Sequence, residues 1–293
     1  MQVLIYGTLV KEQDIPYIQN LFDVLHEENI NAYVFKPYLA QLQPILNFSR
    51  DVGIFENNLD FKSHKIDFVI TLGGDGTILN AATLIKDSNV PVLGINLGRL
   101  GYLADVEKAL LKDAILDLQR GLYRIEDRSL LYLESSHFLF GDAPFALNDF
   151  TILKRDTSSM ITIHAYVNGA YLNSYWADGL IVATPTGSTG YSLSCGGPII
   201  FPNSGCFVIT PVAPHNLNVR PVVISDSSVI SFEIEGRADN FLCTLDSRFE
   251  TITSEYQIAV RKSNFSLRLV QLQEQTFVKT LRKKLSWGMD QRN

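Results

Sequence analysis

Residues 66–72 (IDFVITL) form an apolar run that stops at Gly73-Gly74-Asp75-Gly76-Thr77. The next stretch, ILNAATLIK, suits a helix, and VPVLGIN at 90–96 is apolar again. A buried strand, a crossover helix and a second strand imply a parallel sheet with a right-handed connection. The glycine turn then falls at the carboxyl edge of that sheet, where ligands of open α/β sheets bind. The flanking sequence repeats the unit. Residues 3–6 read as a strand, Ile18, Leu21, Phe22 and Leu25 recur at helical spacing, and 32–35 read as another strand. Leu110, Leu111, Ala114, Ile115 and Leu118 form a further apolar helical face, with Gly121 placed as its C-terminal cap.

From about Arg124 the period changes to two. SLLYLES, FALNDFTI, ITIHAYV, VISFEIE and FSLRLV follow one another, and Asn168-Gly169 lies between two of these runs as a hairpin turn. Phe277, Leu281 and Leu285 suit a closing helix whose Arg282, Lys283 and Lys284 make a solvated basic end. The expected organisation is an α/β domain over 1–125 and an all-β domain over 126–265, with the segment from about 266 to 293 packing back on the first.

Charge and cysteine usage narrow the function. Twenty-five basic against 31 acidic side chains give a net charge of −6, and no stretch clusters Lys and Arg, which argues against nucleic acid as a partner. Cys195, Cys206 and Cys243 are odd in number and lack C-x-x-C spacing, which fits core thiols in a reducing cytosol. MQVLIYG reads as a first strand, not a signal peptide. Residues 179–219 carry no Asp, Glu, Lys or Arg, but their five Pro and six Gly among many hydroxyls rule out a spanning helix. No membrane association is expected.

Two segments carry chemistry. Glycines at a strand end let backbone N–H groups approach phosphate oxygens, and the following helix aims its positive end there. Gly73, Gly74 and Thr77 would form that phosphate loop. Asp75 would repel a phosphate, so it serves as a general base or Mg²⁺ ligand, or else it merely caps the helix. The pattern is neither G-x-x-x-x-G-K-[ST] nor G-x-G-x-x-G. In the second segment, DGLIVATPTGSTGYSLSCGGP from Asp178, a strand delivers a loop dense in hydroxyls and amides. It can bind ribose, amide and phosphate groups without adding charge, although an exposed polar loop would look similar.

The ordered set GGDGT, Asn148-Asp149, DGLIVATPTGSTGYSLSCGGPI and Thr210-Pro211-Val212-Ala213-Pro214-His215 followed by Arg220-Pro221, with GINLGRLGYLAD at 94–105, resembles the NAD kinase family. Lipid kinases of the diacylglycerol type and phosphofructokinases carry segments like GGDGT, whereas the TPTGSTGYSLS run together with TPxxPH is far more specific. The resemblance implies a Rossmann-like, phosphofructokinase-like parallel α/β domain followed by a mainly antiparallel, β-sandwich-like domain that binds NAD. It implies transfer of the γ-phosphate of ATP to the 2′-hydroxyl of the adenosine ribose of NAD, with a divalent metal (Mg²⁺) but no fixed protein metal site. It further implies a cytoplasmic homo-oligomer, dimer or tetramer.

Residue by residue, the resemblance makes Asp75 the catalytic base and Gly76 a backbone contact to the same nucleotide. Asn148 and Asp149 would bind adenine and ribose groups, and Asp178 would lie near the nicotinamide. Thr189, Gly190, Tyr191, Ser192, Leu193 and Ser194 would line the nicotinamide and ribose pocket, as would Ala213. The chain departs from the family at Trp176, where many relatives have Arg, at Asp246-Ser247-Arg248, where they read DSQ, and at Thr157-Ser158-Ser159-Met160, often occupied near His. Arg248 is a candidate to supply the charge that Trp176 lacks, or is simply an exposed turn residue. Of the histidines only His215 belongs to a motif, and it is expected to shape its loop. A lipid or sugar kinase sharing GGDGT, and a catalytically silent NADP-binding regulator, are the alternatives.

Overall fold

Strand β1 (Gln2–Gly7) is buried from Val3 to Gly7, as expected of a strand covered on both faces by helices. It is followed by α1 (Ile15–Glu27), β2 (Asn31–Phe35), α2 (Lys36–Leu42), β3 (Gly53–Phe55), the single turn α3 (Asp60–Ser63), β4 (Phe68–Leu72), α4 (Asp75–Ile85), β5 (Val92–Asn96), β6 (Val106–Glu107) and α5 (Leu111–Arg120). The computed structural model describes residues 1–155, 159–236, 240–272 and 276–288. They form two units: 1–127 with the described residues from Leu267 on, and 128–266.

In the first unit the sheet runs β5-β4-β1-β2-β3, all parallel. The chain moves outward from β1 to β2 and β3, then returns to the other side of β1 for β4. The switch point therefore lies between β1 and β4, and their carboxyl ends, Gly7 and Leu72, open onto it. Ile18, Leu21, Phe22 and Leu25 of α1 and Leu111, Ala114, Ile115 and Leu118 of α5 join one core with the β-strands. Gly121 ends α5 in the left-handed conformation, φ 71°.

After β7 (Tyr123–Ser135) the second unit is a sandwich. Its strands are β8 (Phe145–Ala146), β9 (Asp149–Lys154), β10 (Ile161–Val167), β11 (Ala170–Ala177), β12 (Gly179–Ala183), β13 (Cys206–Val212), β14 (Val222–Ser225), β15 (Ile230–Glu235), β16 (Phe241–Leu245), β17 (Arg248–Ile252) and the start of β18 (Ile258–Leu272). One sheet runs β14-β13-β12-β9-β16-β17, antiparallel throughout. The other pairs β11, β10, β15 and β18 in that order. Phe150 of the first stacks on Phe232 of the second at 5.4 Å between ring centroids, inside a core fed by alternate residues of both sheets. Asn168 and Gly169 both take positive φ, 52° and 79°, as a two-residue hairpin turn of the primed type requires.

The end of β18 returns to the first unit, where Leu269 lies beside Val92. A short helical turn, α6 (Tyr191–Ser194), belongs to the second unit, and the last helix, α7 (Phe277–Leu285), is capped by Thr276 and seated in the first through Leu281. Among the described residues no helix is long and apolar enough to cross a membrane.

Candidate active site

The first unit presents Gly73 to Thr77 directly after β4, at the switch point. Gly73 adopts φ 154°, and a Cβ there would lie 2.1 Å from Thr77 Oγ1, so the turn itself demands glycine. Gly74 and Gly76 are different. A Cβ at either would meet nothing within 4 Å. Packing does not impose these two glycines, and their absent side chains leave the backbone at the positive end of α4 open to approach.

Asp75 does not cap its helix. Gly74 is the N-cap, and no side chain caps the N-terminus. The Asp75 carboxylate instead faces the loop after β5: Oδ2 accepts the N–H of Tyr102 at 2.8 Å, and Oδ1 accepts those of Leu103 at 3.0 Å and Ala104 at 2.9 Å. Asn96, buried at the end of β5, shapes this loop. Its amide donates to the carbonyls of Arg99 at 2.6 Å and Ala104 at 3.3 Å, and its oxygen accepts from Gly98 N at 2.7 Å. Gly101 makes the approach possible, because a Cβ there would sit 1.8 Å from Asp75 Oδ1. Helix α7 flanks the same loop. Phe277 lies 6.2 Å from the Tyr102 ring, Lys284 Nζ lies 5.3 Å from that ring, and Lys283 pairs with Glu107 at 2.6 Å. Burial, and then the charge of Asp75, raise the proton affinity of the Tyr102 phenol.

The second unit ties three of its motifs together. Asp246, at the β16–β17 turn with φ 54°, accepts the N–H groups of Leu147 (3.0 Å), Asn148 (2.7 Å) and Asp149 (3.2 Å). Fully buried Thr184 binds the other side of the same segment, its Oγ1 donating to Leu147 O at 2.6 Å and its N–H to Asn148 O at 2.9 Å. Gly187 completes the lock, since a Cβ would fall 2.1 Å from Asn148 O. Burial, and then the neighbouring Asp246, push the carboxyl of Asp149 up to about 7. Burial also raises Asp246, against three backbone amides and Arg248, which act to lower it. A folded-state value above the unfolded one means the fold holds that proton more tightly, so the stability Asp149 contributes falls as pH rises from about 4 to 7.

The hydroxyl-rich loop divides into two sets. Ser188 and Ser192 are fully buried and engaged within the unit. Ser188 Oγ donates to Pro185 O at 2.7 Å, and Ser192 Oγ meets Thr210 Oγ1 at 2.8 Å. Gly190, Tyr191 and Ser194 are exposed, while Thr189 and Leu193 are half-buried. Ala213 is exposed in the left-handed conformation, φ 44°, a strained choice for a non-glycine residue.

Asp178 pairs with Lys154 at 2.6 Å, a partner the sequence motifs do not contain. The Trp176 ring lies tilted against that of His215, 4.2 Å between centroids, and the Trp176 carbonyl accepts the His215 N–H. Arg248 directs its guanidinium to the carbonyls of Ala143, at 2.6 Å, and Phe145. Ser159 and Met160 are half-buried, and Thr157 and Ser158 lie outside the described residues.

The first unit thus presents an acidic side chain at the glycine turn of a parallel α/β sheet, and the second a partly exposed loop of hydroxyls and amides on a β-sandwich. Residues 19–123 match the ATP-NAD kinase N-terminal domain, and 147–272 match the ATP-NAD kinase C-terminal domain. The NAD kinase of Cytophaga hutchinsonii is 49% identical over 292 residues, 99% of each chain, and that of Flavobacterium psychrophilum is 43% identical over the whole of both. A yeast NADH kinase solved with NADH superposes with a TM-score of 0.88 at 22% identity, covering 98% of this chain and 88% of its own. An NAD kinase from Archaeoglobus fulgidus solved with ATP gives 0.75 at 23%, covering 98% and 99%. The chain belongs to the ATP-NAD kinase family.

Proposed function

We propose that this enzyme transfers the γ-phosphate of ATP to the 2′-hydroxyl of the adenosine ribose of NAD, producing NADP and ADP. The observation that carries the reading is end-to-end likeness to NAD kinases in a chain whose acidic residue, Asp75, stands at the sheet's switch point. The ribose oxygen attacks the γ-phosphorus, the bond from that phosphorus to the β,γ-bridging oxygen breaks, and Asp75 takes the hydroxyl proton. Oδ1 already accepts two amides and Oδ2 only one, so Oδ2 keeps the lone pair suited to the ribose hydroxyl.

The open amides of Gly74 and Gly76 at the positive end of α4, with Gly73 and Thr77 holding the turn, would receive phosphate oxygens. Asn148 and Asp149 would bind the adenine and ribose, Gly76 the same nucleotide, and Asp178 the nicotinamide end. The exposed backbone from Thr189 to Ser194 and Ala213 would line the remaining surface, and the buried hydroxyl of Ser192 would support it from below. Arg248 would act through the carbonyls it holds.

Among the described residues no group of three or more His, Cys, Asp or Glu could hold a metal ion. In this reading Mg²⁺ would arrive on the triphosphate, with the Asp75 carboxylate the side chain that could approach it. Such an ion would neutralise charge on the transferred group. The reading includes a cytoplasmic homo-oligomer, a dimer or tetramer. Light scattering at a multiple of 32.8 kDa supports that part, and a single-chain mass removes it.

The test of function is an acceptor panel. With ATP and Mg²⁺ the purified enzyme should form NADP from NAD and leave diacylglycerol and sugar phosphates untouched. Phosphorylation of those acceptors instead, or nucleotide binding without turnover, would overturn the assignment.

A further inference from the structure

The turn between β16 and β17 has no place in the reaction as described, yet its half-buried carboxylate is bonded to three consecutive amides of the segment that carries Asn148 and Asp149. The contact is reciprocal, since the Asp246 N–H donates to Asp149 O at 2.9 Å. Thr184 and Gly187 hold the opposite side of the same segment. The peptide planes of 147–149 are thus fixed from both faces, and the only ionisable group among these clamps is Asp246.

We propose that Asp246 is a positioning residue for the acceptor nucleotide, setting the aim of Asn148 and Asp149 through the amides it holds. This rests on the reading that Asn148 and Asp149 bind the adenosine half of NAD. A carboxylate can accept from both hydroxyls of a ribose diol, whereas its protonated form loses part of that capacity. With burial and Asp246 pushing Asp149 up to about 7, Asp149 passes from protonated to ionised across neutral pH. The other groups acting on this pair are few. Tyr191 and Cys195 feel the charge of Asp149, and Arg248 lies near Asp246. Neither Tyr191 nor Cys195 carries charge in this range, because burial raises the proton affinity of both.

Asp246→Asn tests the proposal. Asparagine suits the left-handed backbone at this position and keeps one acceptor oxygen, but it replaces the other with an NH₂ aimed at backbone N–H groups. In the wild type, KM for NAD should fall as pH rises from 6 to 8, with a midpoint near 7. In the variant, KM for NAD should rise about tenfold or more, with kcat lowered less than that and KM for ATP within about twofold, in line with the loss of a charged hydrogen-bond partner. Its pH midpoint should move to lower pH, because a negative neighbour is gone. Loss of packing alone would not move that midpoint.

If Asp246→Asn does not accumulate as folded protein, Asp246→Ser keeps one acceptor, is also neutral, and should show the same downward midpoint. A second reading comes from Asp149→Asn, which should abolish the pH dependence of KM and make further substitution at 246 cost less than it does in the wild type. A neutral residue at 246 with wild-type KM and an unmoved midpoint overturns the proposal while leaving the kinase assignment intact. A wild-type enzyme that forms no NADP removes the ribose role, and the proposal with it.

Discussion

Asp75→Asn is expected to slow NADP formation by two orders of magnitude or more, about 3 kcal/mol of transition-state stabilisation, with the fold retained. Asparagine keeps one acceptor oxygen for the amides of Tyr102, Leu103 and Ala104 but cannot take a proton from a hydroxyl. An alcohol is a poor nucleophile toward a phosphoryl group, so most of the loss should appear in kcat. Melting temperature and nucleotide affinity separate this result from simple destabilisation. An Asp75→Asn enzyme of near wild-type kcat would remove the base role and leave the family membership untouched.

Gly101→Ala is expected to be the second most damaging change, for a steric reason. The added methyl would fall 1.8 Å from Asp75 Oδ1, so either the carboxylate or the loop must move. The obstacle is the end of a side chain and not backbone, and so the fold should absorb the change at small cost. The position of Asp75 should not survive it, and displacement of a reacting group by about 1 Å can cost a hundredfold in rate. Steady-state kinetics should show kcat down about 10² with the melting temperature nearly unchanged. Wild-type kcat in Gly101→Ala would mean that the bonds from 102–104 to Asp75 play no part in turnover.

The position of the glycine turn was legible because it rests on local pattern. An apolar run, three glycines and a helical repeat at 66–85 are enough to put Asp75 at the carboxyl end of a parallel strand. The sandwich was legible for the same reason, in the period-two runs and the Asn168-Gly169 turn. The groups that hold the site in shape were harder to read. Tyr102, Leu103 and Ala104 act on Asp75 through their amides, which every residue type but proline possesses, and only Gly101 leaves a trace in the sequence. Asp246 stands in a triplet that departs from the family motif only at Arg248, and its bonds to 147–149 join residues nearly a hundred positions apart.

The hydroxyl-rich loop shows the converse. Composition treats Thr184, Ser188 and Ser192 like Ser194, whereas burial reserves the first three for internal bonds. Lys154 carries no motif at all and meets Asp178 only through the antiparallel register of β9 and β12, where Leu153 lies opposite Gly179. Helix α2 and strand β3 are short, and α2 begins at a proline-containing turn, so neither has the length over which periodicity declares itself.

The most direct measurement follows the phosphate itself. With ATP labelled at the γ-position, Mg²⁺ and NAD, the label should appear in a single new phosphomonoester that phosphorus NMR assigns to the 2′-oxygen of the adenosine ribose, and Asp75→Asn should suppress its formation. Label released only as inorganic phosphate, or carried to another hydroxyl or another acceptor, would contradict the assignment of this chain as a 2′-kinase of NAD.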